Sequence, residues 1–182
     1  MEKIKYSVVI PCFNEADNLE LLLKSLTKLN IQNNLEIIIV DNGSTDKSYS
    51  LLSELKEKIK IHNLKVISIK KNIGYGNGII RGLNEASGDF LGWTHADLQT
   101  DVTDVLKGFK LIEKSTENSI VKGKRSNRNM FDNIFTIFMS IICTIMLKKS
   151  LFDINAQPKI FSKVFYNQIK DRAPDDFSLD LY

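Results

Sequence analysis

The sequence predicts an α/β domain in which a mostly parallel β-sheet carries helices on both faces. Two observations support this fold class. Short β-branched apolar runs, typical of buried strands, alternate along the chain with longer segments whose apolar residues recur at helical spacing. Polar and glycine-rich clusters then follow the predicted strands. Alternation at this spacing is typical of parallel strands joined by helical crossovers, which cover the sheet on both sides.

The first part of the chain contains three strand segments and two helical ones. "YSVVIP" predicts the first strand, ended by Pro11, and "LEIIIVD" at 35–41 predicts the second. Between them, "EADNLELLLKSLTKLN" places its leucines on one face of a helix. We expect the next helix, "DKSYSLLSELKEKIK", to be capped by Ser44 or Thr45, and "LKVISIK" to form the third strand.

The rest of the chain continues the alternation and then departs from it. After the loop "KNIGYGNG", the stretch "IIRGLNEAS" predicts a helix ended by Gly88, and "DFLGWT" predicts the fourth strand. A helix near 101–117 and a fifth strand, "SIVKGK", follow. An apolar helix at 130–148, a short extended piece, "LFDINAQPKIF", and a polar segment complete the chain.

Composition restricts the classes of function and the location. The 182 residues suit one domain spanning 1–182, and a hydrophobic content of 43% excludes a disordered chain. The net charge of +3 is too small to indicate nucleic-acid binding, so no nucleic-acid partner is expected. Cys12 and Cys143 show no metal-ligand spacing, and we expect both to be reduced and buried. Together with an N-terminus that is no signal peptide, this predicts a cytoplasmic location.

The loops that follow the strands are the candidate site, because ligands of such sheets bind outside the carboxyl ends of the strands. Asn14 and Glu15 lie at the mouth of the first strand. Asp41 closes the second strand, where a carboxylate suits a ribose hydroxyl or a base N–H. A simpler role in turns and caps remains open for these three residues. Asn72 and the glycines after it would let backbone approach a ligand closely.

The glycines at 74, 76, 78 and 82 do not form a dinucleotide-binding motif. That motif requires G-x-G-x-x-G after the first strand, whereas this loop follows the third strand and has Ile79 where the third glycine would stand. The P-loop pattern G-x-x-x-x-G-K-S/T is not found in the sequence either. A dinucleotide oxidoreductase and P-loop chemistry are therefore disfavoured.

The stretch "THADLQTD" after the fourth strand suggests a metal site. In an extended segment alternate side chains share one side, which places His95, Asp97 and Gln99 together. Imidazole, carboxylate and amide suit Mn²⁺ or Mg²⁺ that also takes oxygens from a diphosphate, and the ion would offset repulsion between the diphosphate and nearby acidic residues. An ordinary solvated loop is the alternative, and Asp101 is expected to cap the next helix.

Four stretches, "VVIPCFNEADNL", "IIIVDNGSTDKS", "KNIGYGNGIIRGL" and "DFLGWTHADLQTD", together resemble glycosyltransferase family 2, the inverting GT-A transferases that use nucleotide sugars. The resemblance implies a Rossmann-like GT-A fold. It also implies a nucleotide site lined by Pro11, Asn14 and Glu15, with Asp41 in contact with the base or ribose.

Within the family, the chain is most similar to the dolichol-phosphate mannosyltransferase-like branch, whose metal loop reads D-A-D-L-Q. This implies Asp97 and Gln99 as metal ligands, while His95 stands where the first aspartate of that loop would be. The stretch "VKGKRSNR" resembles the segment in which the branch places a phosphate-binding arginine. Arg125 is the best match, with Arg128 and Lys124 behind it.

The branch also implies a lipid acceptor. The helix at 130–148 is then either a core helix or a helix lying in the membrane interface beside a polyprenyl phosphate, at the cytoplasmic face. Its apolar run falls short of the roughly 20 residues that span a bilayer. The tail "LFDINAQPKIFSKVF" resembles the segment over the acceptor site, so Gln157 and Lys159 are expected to face the acceptor.

The function implied by the resemblance is sugar transfer from a nucleotide sugar to a polyprenyl phosphate or a growing cell-surface glycan. The ion held by Asp97 would offset charge on the leaving diphosphate. A phosphate acceptor needs no general base, whereas a sugar hydroxyl would require one, for which Asp176 and Asp180 are candidates. Relatives continue beyond "PDDFSLDLY", so we expect the C-terminal part of the domain to be missing. A non-catalytic nucleotide-sugar binding module is the alternative.

Overall fold

The computed structural model describes residues 3–29, 33–98, 100–124, 140–146, 148 and 150–182. Within these ranges the chain forms a six-stranded sheet in the order β3-β2-β1-β4-β6-β5. The strands are β1 (Tyr6–Cys12), β2 (Leu35–Asp41), β3 (Leu64–Ser68), β4 (Phe90–Trp93), β5 (Ile120–Lys122) and β6 (Lys159–Ser162). The predicted α/β fold class is confirmed.

The sheet is parallel in its first part and antiparallel at one end. β1 pairs in parallel with both β2 and β4, and β2 pairs in parallel with β3. β6 lies between β4 and β5 and is antiparallel to both. The sequence indicated β6 only as a short extended piece. Neither the length nor the residues of such a piece specify which strands it pairs with or in which direction.

The helices in the described ranges are α1 (Leu19–Leu26), α2 (Ser48–Lys58), α3 (Tyr75–Asn84), α4 (Asp104–Ile112) and α5 (Lys163–Ile169). Short 3₁₀ turns cover Thr27–Leu29, Lys170–Arg172 and Phe177–Asp180. Residues 140–146 are helical, whereas 125–139 and 147 of the predicted apolar helix and its approach lie outside the described residues. The part of the chain that the structure describes contains no helix long and apolar enough to cross a membrane.

Two helix starts differ from the prediction. α3 begins at Tyr75, inside the stretch predicted as a loop, and its first turn contains Gly76 and Gly78. α2 begins at Ser48, so the prediction that Ser44 or Thr45 caps it is wrong. The carboxylate of Asp46 accepts the backbone N–H of Ser48 at 2.9 Å and supplies the contact expected from a cap.

The core has one layer on each face of the sheet, as predicted. On one face, leucines of α1 and apolar residues of α2 and α4 pack against β1 and β2. On the other face, α3 packs on β1 and β2, and the cluster continues through Trp93 of β4 to Leu179 near the C-terminus. A Cβ atom at Gly82 would lie 2.3 Å from Cγ1 of Val9, so glycine here lets α3 lie close to the sheet. The two layers leave the carboxyl ends of the parallel strands as the edge where loops meet.

Candidate functional site

The carboxyl ends of β1, β2 and β4 bring the predicted loops together. Cys12 and Asp41 are register partners at the ends of β1 and β2, and Val9 pairs with Trp93 at the end of β4. Pro11 lies in β1 opposite Val40. The loops carrying Asn14, Asp41 and His95 therefore leave the sheet along the same edge, as the topology predicts.

Asn14 joins the loop after β1 to the loop after β2. Its backbone has φ 55°, a left-handed conformation that asparagine tolerates better than most residues. Its Oδ1 accepts the backbone N–H of Thr45 at 2.8 Å, and its own N–H donates to Ser44 Oγ at 3.0 Å. The side chain thus has a structural role in the turn, alongside the predicted role in nucleotide binding.

Glu15 follows with a similar set of contacts. Its N–H donates to Ser48 Oγ at 2.9 Å, and its Oε2 accepts from Asn18 Nδ2 at 2.7 Å. Burial, followed by the negative charges of Glu15 and Asp41, raises the pKa of Cys12, so this thiol stays protonated at neutral pH.

Asp41 is buried at the end of β2, with 3% of its surface exposed. Its two carboxylate oxygens are held separately: Oδ1 accepts the N–H of Ser44 at 3.2 Å, and Oδ2 accepts the hydroxyl of Ser68 at 3.1 Å. Because each carboxylate oxygen has a second lone-pair direction, Asp41 keeps accepting capacity for further donors. A ribose hydroxyl or a base N–H is a donor of the kind that a carboxylate accepts.

The loops after β2 and β3 lie backbone against backbone. Gly43 has φ 74°, and a Cβ atom there would lie 2.4 Å from the backbone nitrogen of Asn72. Asn72 Oδ1 accepts the N–H of Gly74 at 3.0 Å, and Asn42 Nδ2 donates to the carbonyl of Gly74 at 2.9 Å. Asn72 therefore shapes the turn before α3.

His95 and Asp97 lie in the loop after β4, and both side chains are half-buried. The ring of His95 stacks on that of Tyr75, with centroids 6.0 Å apart. The hydroxyls of Thr94 and Thr100 lie 3.2 Å apart and close the base of the loop, while Leu98 takes a left-handed conformation with φ 60°. Gln99 lies outside the described residues.

These donors fit a divalent ion that takes several of its ligands from a diphosphate. One carboxylate and one imidazole, two residues apart in a single turn, are ligand types that a divalent ion accepts. No group of three or more His, Cys, Asp or Glu side chains suited to a metal occurs among the described residues. Asp97 and His95 would fill only part of the shell of roughly six or more ligands that such an ion takes, and the rest would come from other groups.

Asp101, at the end of the same loop, acts as a cap. Its Oδ1 accepts both the N–H and the hydroxyl of Thr103 at 2.9 Å. The backbone hydrogen bond from Thr103, followed by the hydroxyl, lowers the pKa of Asp101. Asp101 therefore caps the turn before α4, and the prediction that it caps the helix itself is wrong, because α4 begins at Asp104 with Thr103 at its N-cap position.

A C-terminal segment, residues 174–180, lies over the start of α3, which the sequence analysis did not foresee. The N–H of Asn77 donates to the carbonyl of Asp175 at 2.7 Å. Cβ atoms at Gly74 and Gly76 would lie 2.3 Å and 2.6 Å from carbonyl oxygens of this segment. The glycines were expected to admit a ligand, whereas here they admit backbone of the same chain.

The predicted bases, Asp176 and Asp180, both lie in this segment and both accept hydrogen bonds from other residues. Asp176 Oδ1 accepts the N–H of Ser178 at 2.8 Å and its hydroxyl at 2.5 Å, and these bonds lower the pKa of Asp176. Asp180 Oδ1 accepts from Lys159 Nζ at 2.5 Å and from Gln157 Nε2 at 3.3 Å. Gln157 and Lys159, expected to face the acceptor, thus contact Asp180. Arg125 and Arg128 lie outside the described residues.

Comparison with known proteins gives a consistent result. The sequence model described as Glycosyl transferase family 2 matches residues 7–174. An undecaprenyl-phosphate 4-deoxy-4-formamido-L-arabinose transferase of Photorhabdus laumondii is 32% identical over 80% of this chain and 44% of its own length. A dolichol-phosphate mannosyltransferase of Pyrococcus furiosus is 35% identical over 64% of this chain and 32% of its own length. The chain thus spans less than half the length of these relatives.

Solved structures show the same fold. A mannosyltransferase from Pyrobaculum calidifontis in complex with GDP-Man and Mn²⁺ superposes with a TM-score of 0.70 at 19% identity, over 97% of this chain and 50% of its own. Glucosyl-3-phosphoglycerate synthase from Mycobacterium tuberculosis, in complex with Mn²⁺, UDP and glucosyl-3-phosphoglycerate, gives a TM-score of 0.67 at 18% identity. The match covers 87% of this chain and 56% of the synthase chain. The predicted GT-A architecture is confirmed.

Proposed function

Because the chain belongs to glycosyl transferase family 2, we propose that it is the donor-binding and catalytic part of an inverting glycosyltransferase that uses a nucleotide sugar and a polyprenyl-phosphate acceptor. The observation that carries this proposal is the convergence of Asn14, Asp41 and the loop of His95 and Asp97 at the carboxyl edge of one parallel sheet. The acceptor class follows from the relatives, whose names include undecaprenyl phosphate and dolichol phosphate.

The donor nucleotide would lie over the ends of β1 and β2. Pro11, Asn14 and Glu15 form the wall at β1, and Asp41 offers its remaining accepting capacity to a ribose hydroxyl or base N–H. The turn held by Asn72 closes the opposite side. In this arrangement the diphosphate would extend toward the end of β4.

A divalent ion, Mn²⁺ or Mg²⁺, is the proposed cofactor at the end of β4, held by Asp97, Gln99 and His95. When bound, such an ion offsets negative charge on the departing nucleoside diphosphate. The two structural neighbours named above were solved in complex with Mn²⁺. Because Asp97 supplies a formal charge and His95 does not, Asp97 would contribute most of the electrostatic attraction.

The contacts of the predicted bases favour a phosphate acceptor over a sugar hydroxyl. A phosphate monoester is already anionic at neutral pH and attacks without a general base, whereas a hydroxyl requires one. Asp180 accepts from Lys159 and Gln157, and Asp176 accepts from Ser178. The glycan alternative therefore requires a carboxylate to leave its present partners.

Arg125 remains the proposed ligand of the acceptor phosphate, since guanidinium binds phosphate in a bidentate manner. The segment 130–148, predicted from the sequence as an apolar helix, remains the proposed contact with the cytoplasmic face of a membrane, in keeping with a lipid acceptor. In its described part, Ile141, Ile145 and Met146 expose their side chains. Binding of the purified chain to vesicles with and without undecaprenyl phosphate measures this contact.

A non-catalytic nucleotide-sugar binding module is the second candidate, favoured by the neutral imidazole of His95 in the metal loop. Thermal unfolding with UDP-, GDP- and dTDP-sugars, each with and without Mn²⁺, identifies the donor, because a ligand of the native state raises the melting temperature. Transfer of the identified sugar to undecaprenyl phosphate supports the enzyme. Mn²⁺-dependent binding with neither transfer nor donor hydrolysis supports the module.

A further inference from the structure

His95 is part of a closed circuit, made of side-chain contacts and short backbone links, that joins four separate parts of the chain. Its ring stacks on Tyr75 at the start of α3, and Tyr75 stacks on Phe177 of the C-terminal segment. Three residues later, Asp180 forms an ion pair with Lys159 of β6. Lys159 is the register partner of Trp93, which precedes His95 by two residues. The circuit therefore begins and ends at the carboxyl end of β4.

The ion pair between Lys159 and Asp180 is the most firmly enclosed contact in this circuit. Its Nζ and Oδ1 atoms lie 2.5 Å apart, and the two side chains are only 8% and 9% exposed. Lys159 Nζ also donates to the backbone carbonyl of Asp180 at 2.8 Å and lies 5.5 Å from the centre of the Trp93 ring. One ammonium group thus fixes both the side chain and the backbone of Asp180 against β4.

The aromatic part of the circuit depends on that anchor. Phe177 is 80% exposed, so few contacts other than its stack on Tyr75 hold its ring. The two rings are nearly parallel, with centroids 5.2 Å apart and an interplanar angle of 6°. The backbone that carries Phe177 is fixed on one side by the bond from Asn77 to Asp175 and on the other by Asp180. Between Phe177 and Asp180, Leu179 is buried in the core, so loss of the ion pair would leave only this apolar contact to hold that side of the segment.

We propose that Lys159 is a positioning residue for His95, acting through Asp180, Phe177 and Tyr75. The neutral imidazole of His95 makes a weaker ligand than a carboxylate for a hard cation, so its orientation has to be fixed by neighbouring groups. The stack on Tyr75 supplies that orientation, and Lys159 keeps the stack closed. The circuit itself is independent of the proposed function. Only the step from His95 to a donor and its ion rests on the proposed function.

The direct test is the NMR signal of the His95 ring in the ligand-free protein at fixed pH. The chain has two histidines, His62 and His95, so the signals are separable and His62 is an internal control. Lys159→Met and Asp180→Asn are each expected to move the His95 signals toward the position found in Tyr75→Leu. Lys159→Arg, which keeps the charge, and Tyr75→Phe, which keeps the ring, should leave them near wild type.

An unchanged His95 signal in both folded Lys159→Met and Asp180→Asn, while Tyr75→Leu shifts it, would overturn the proposal. No shift in Tyr75→Leu would overturn it as well, because the stack would then not exist in solution. Asp180→Asn keeps the size of the side chain, so it tests the same ion pair even if Lys159→Met does not fold. None of these readings depends on a bound donor.

A second readout connects the circuit to the site. Lys159→Met is expected to weaken Mn²⁺-dependent binding of GDP or UDP by roughly 2- to 30-fold in calorimetry. The double variant with Tyr75→Leu should bind no more weakly than the weaker single variant, because both changes open the same circuit. If the double variant shows the product of the two single losses of affinity, Lys159 and Tyr75 do not act through the same circuit, which would contradict the proposal. If wild type binds neither nucleotide with Mn²⁺, the proposed function fails. The NMR signals of His95 still test whether Lys159 positions that ring.

Discussion

Asn14 Oδ1 accepts the backbone N–H of Thr45 at 2.8 Å and thereby joins the loops after β1 and β2 at the carboxyl edge of the sheet. Because Asn14 also has φ 55°, its side chain and its backbone contribute separately to the turn. We expect Asn14→Gly to lose the hydrogen bond alone and Asn14→Ala to lose it and add backbone strain. Urea unfolding should show Asn14→Ala less stable than Asn14→Gly by about 1 kcal/mol. Equal stability of the two variants would contradict the strained backbone.

Asp41 is expected to serve both folding and nucleotide binding. In Asp41→Ala the N–H of Ser44 and the hydroxyl of Ser68 lose their acceptor, so the free energy of unfolding should fall by about 1–3 kcal/mol. Nucleotide affinity should fall by roughly 10- to 100-fold, as for loss of a hydrogen bond to a charged group. Ser68→Ala is the matched control, since it keeps the carboxylate and should bind nucleotide nearly as wild type. A loss of stability without a loss of nucleotide affinity would mean that Asp41 stabilises the turn and does not bind the nucleotide.

Glu36 should make the fold sensitive to acid. Burial raises the pKa of Glu36, but hydrogen bonds from Lys65, Ser7 and Ser87 outweigh burial, and the pKa is lowered overall. The unfolded chain then binds the proton more readily, so this stabilisation is complete above the unfolded pKa of about 4.3 and is lost as pH falls through the folded value. Glu36→Gln should therefore be less stable than wild type at neutral pH, and the difference should narrow in strong acid. A difference in urea midpoint that stays constant with pH would contradict this.

The positions of the parallel strands were predictable because each is a local property of the chain. β2 is buried along its whole length and coincides with the β-branched run "LEIIIVD". The direction of β6 was not predictable in this way, since it depends on where the chain returns after residues 125–139. Lys159 illustrates the difficulty: a lysine within a buried strand is unusual, and only its distant partner Asp180 explains it.

The candidate site was predicted in part for a similar reason. The rule that loops meet at the carboxyl ends of parallel strands located Asn14, Asp41 and His95 correctly at one edge. The stack of Tyr75 on Phe177 joins residues far apart in sequence, and no local pattern indicates it. The closely spaced Gly74 and Gly76 were the available signal, because they indicate close approach of another group without identifying it.

Calorimetry of nucleotide-sugar binding to wild type and Asp97→Ala, with and without Mn²⁺, tests most directly that the edge of the sheet is a metal-dependent donor site. We expect Mn²⁺ to strengthen donor binding to wild type and to have no effect on Asp97→Ala. Asp101→Ala is the matched control from the same loop, since that carboxylate caps Thr103, and it should respond to Mn²⁺ as wild type does. Equal Mn²⁺-dependent binding by wild type and Asp97→Ala would contradict the proposed site.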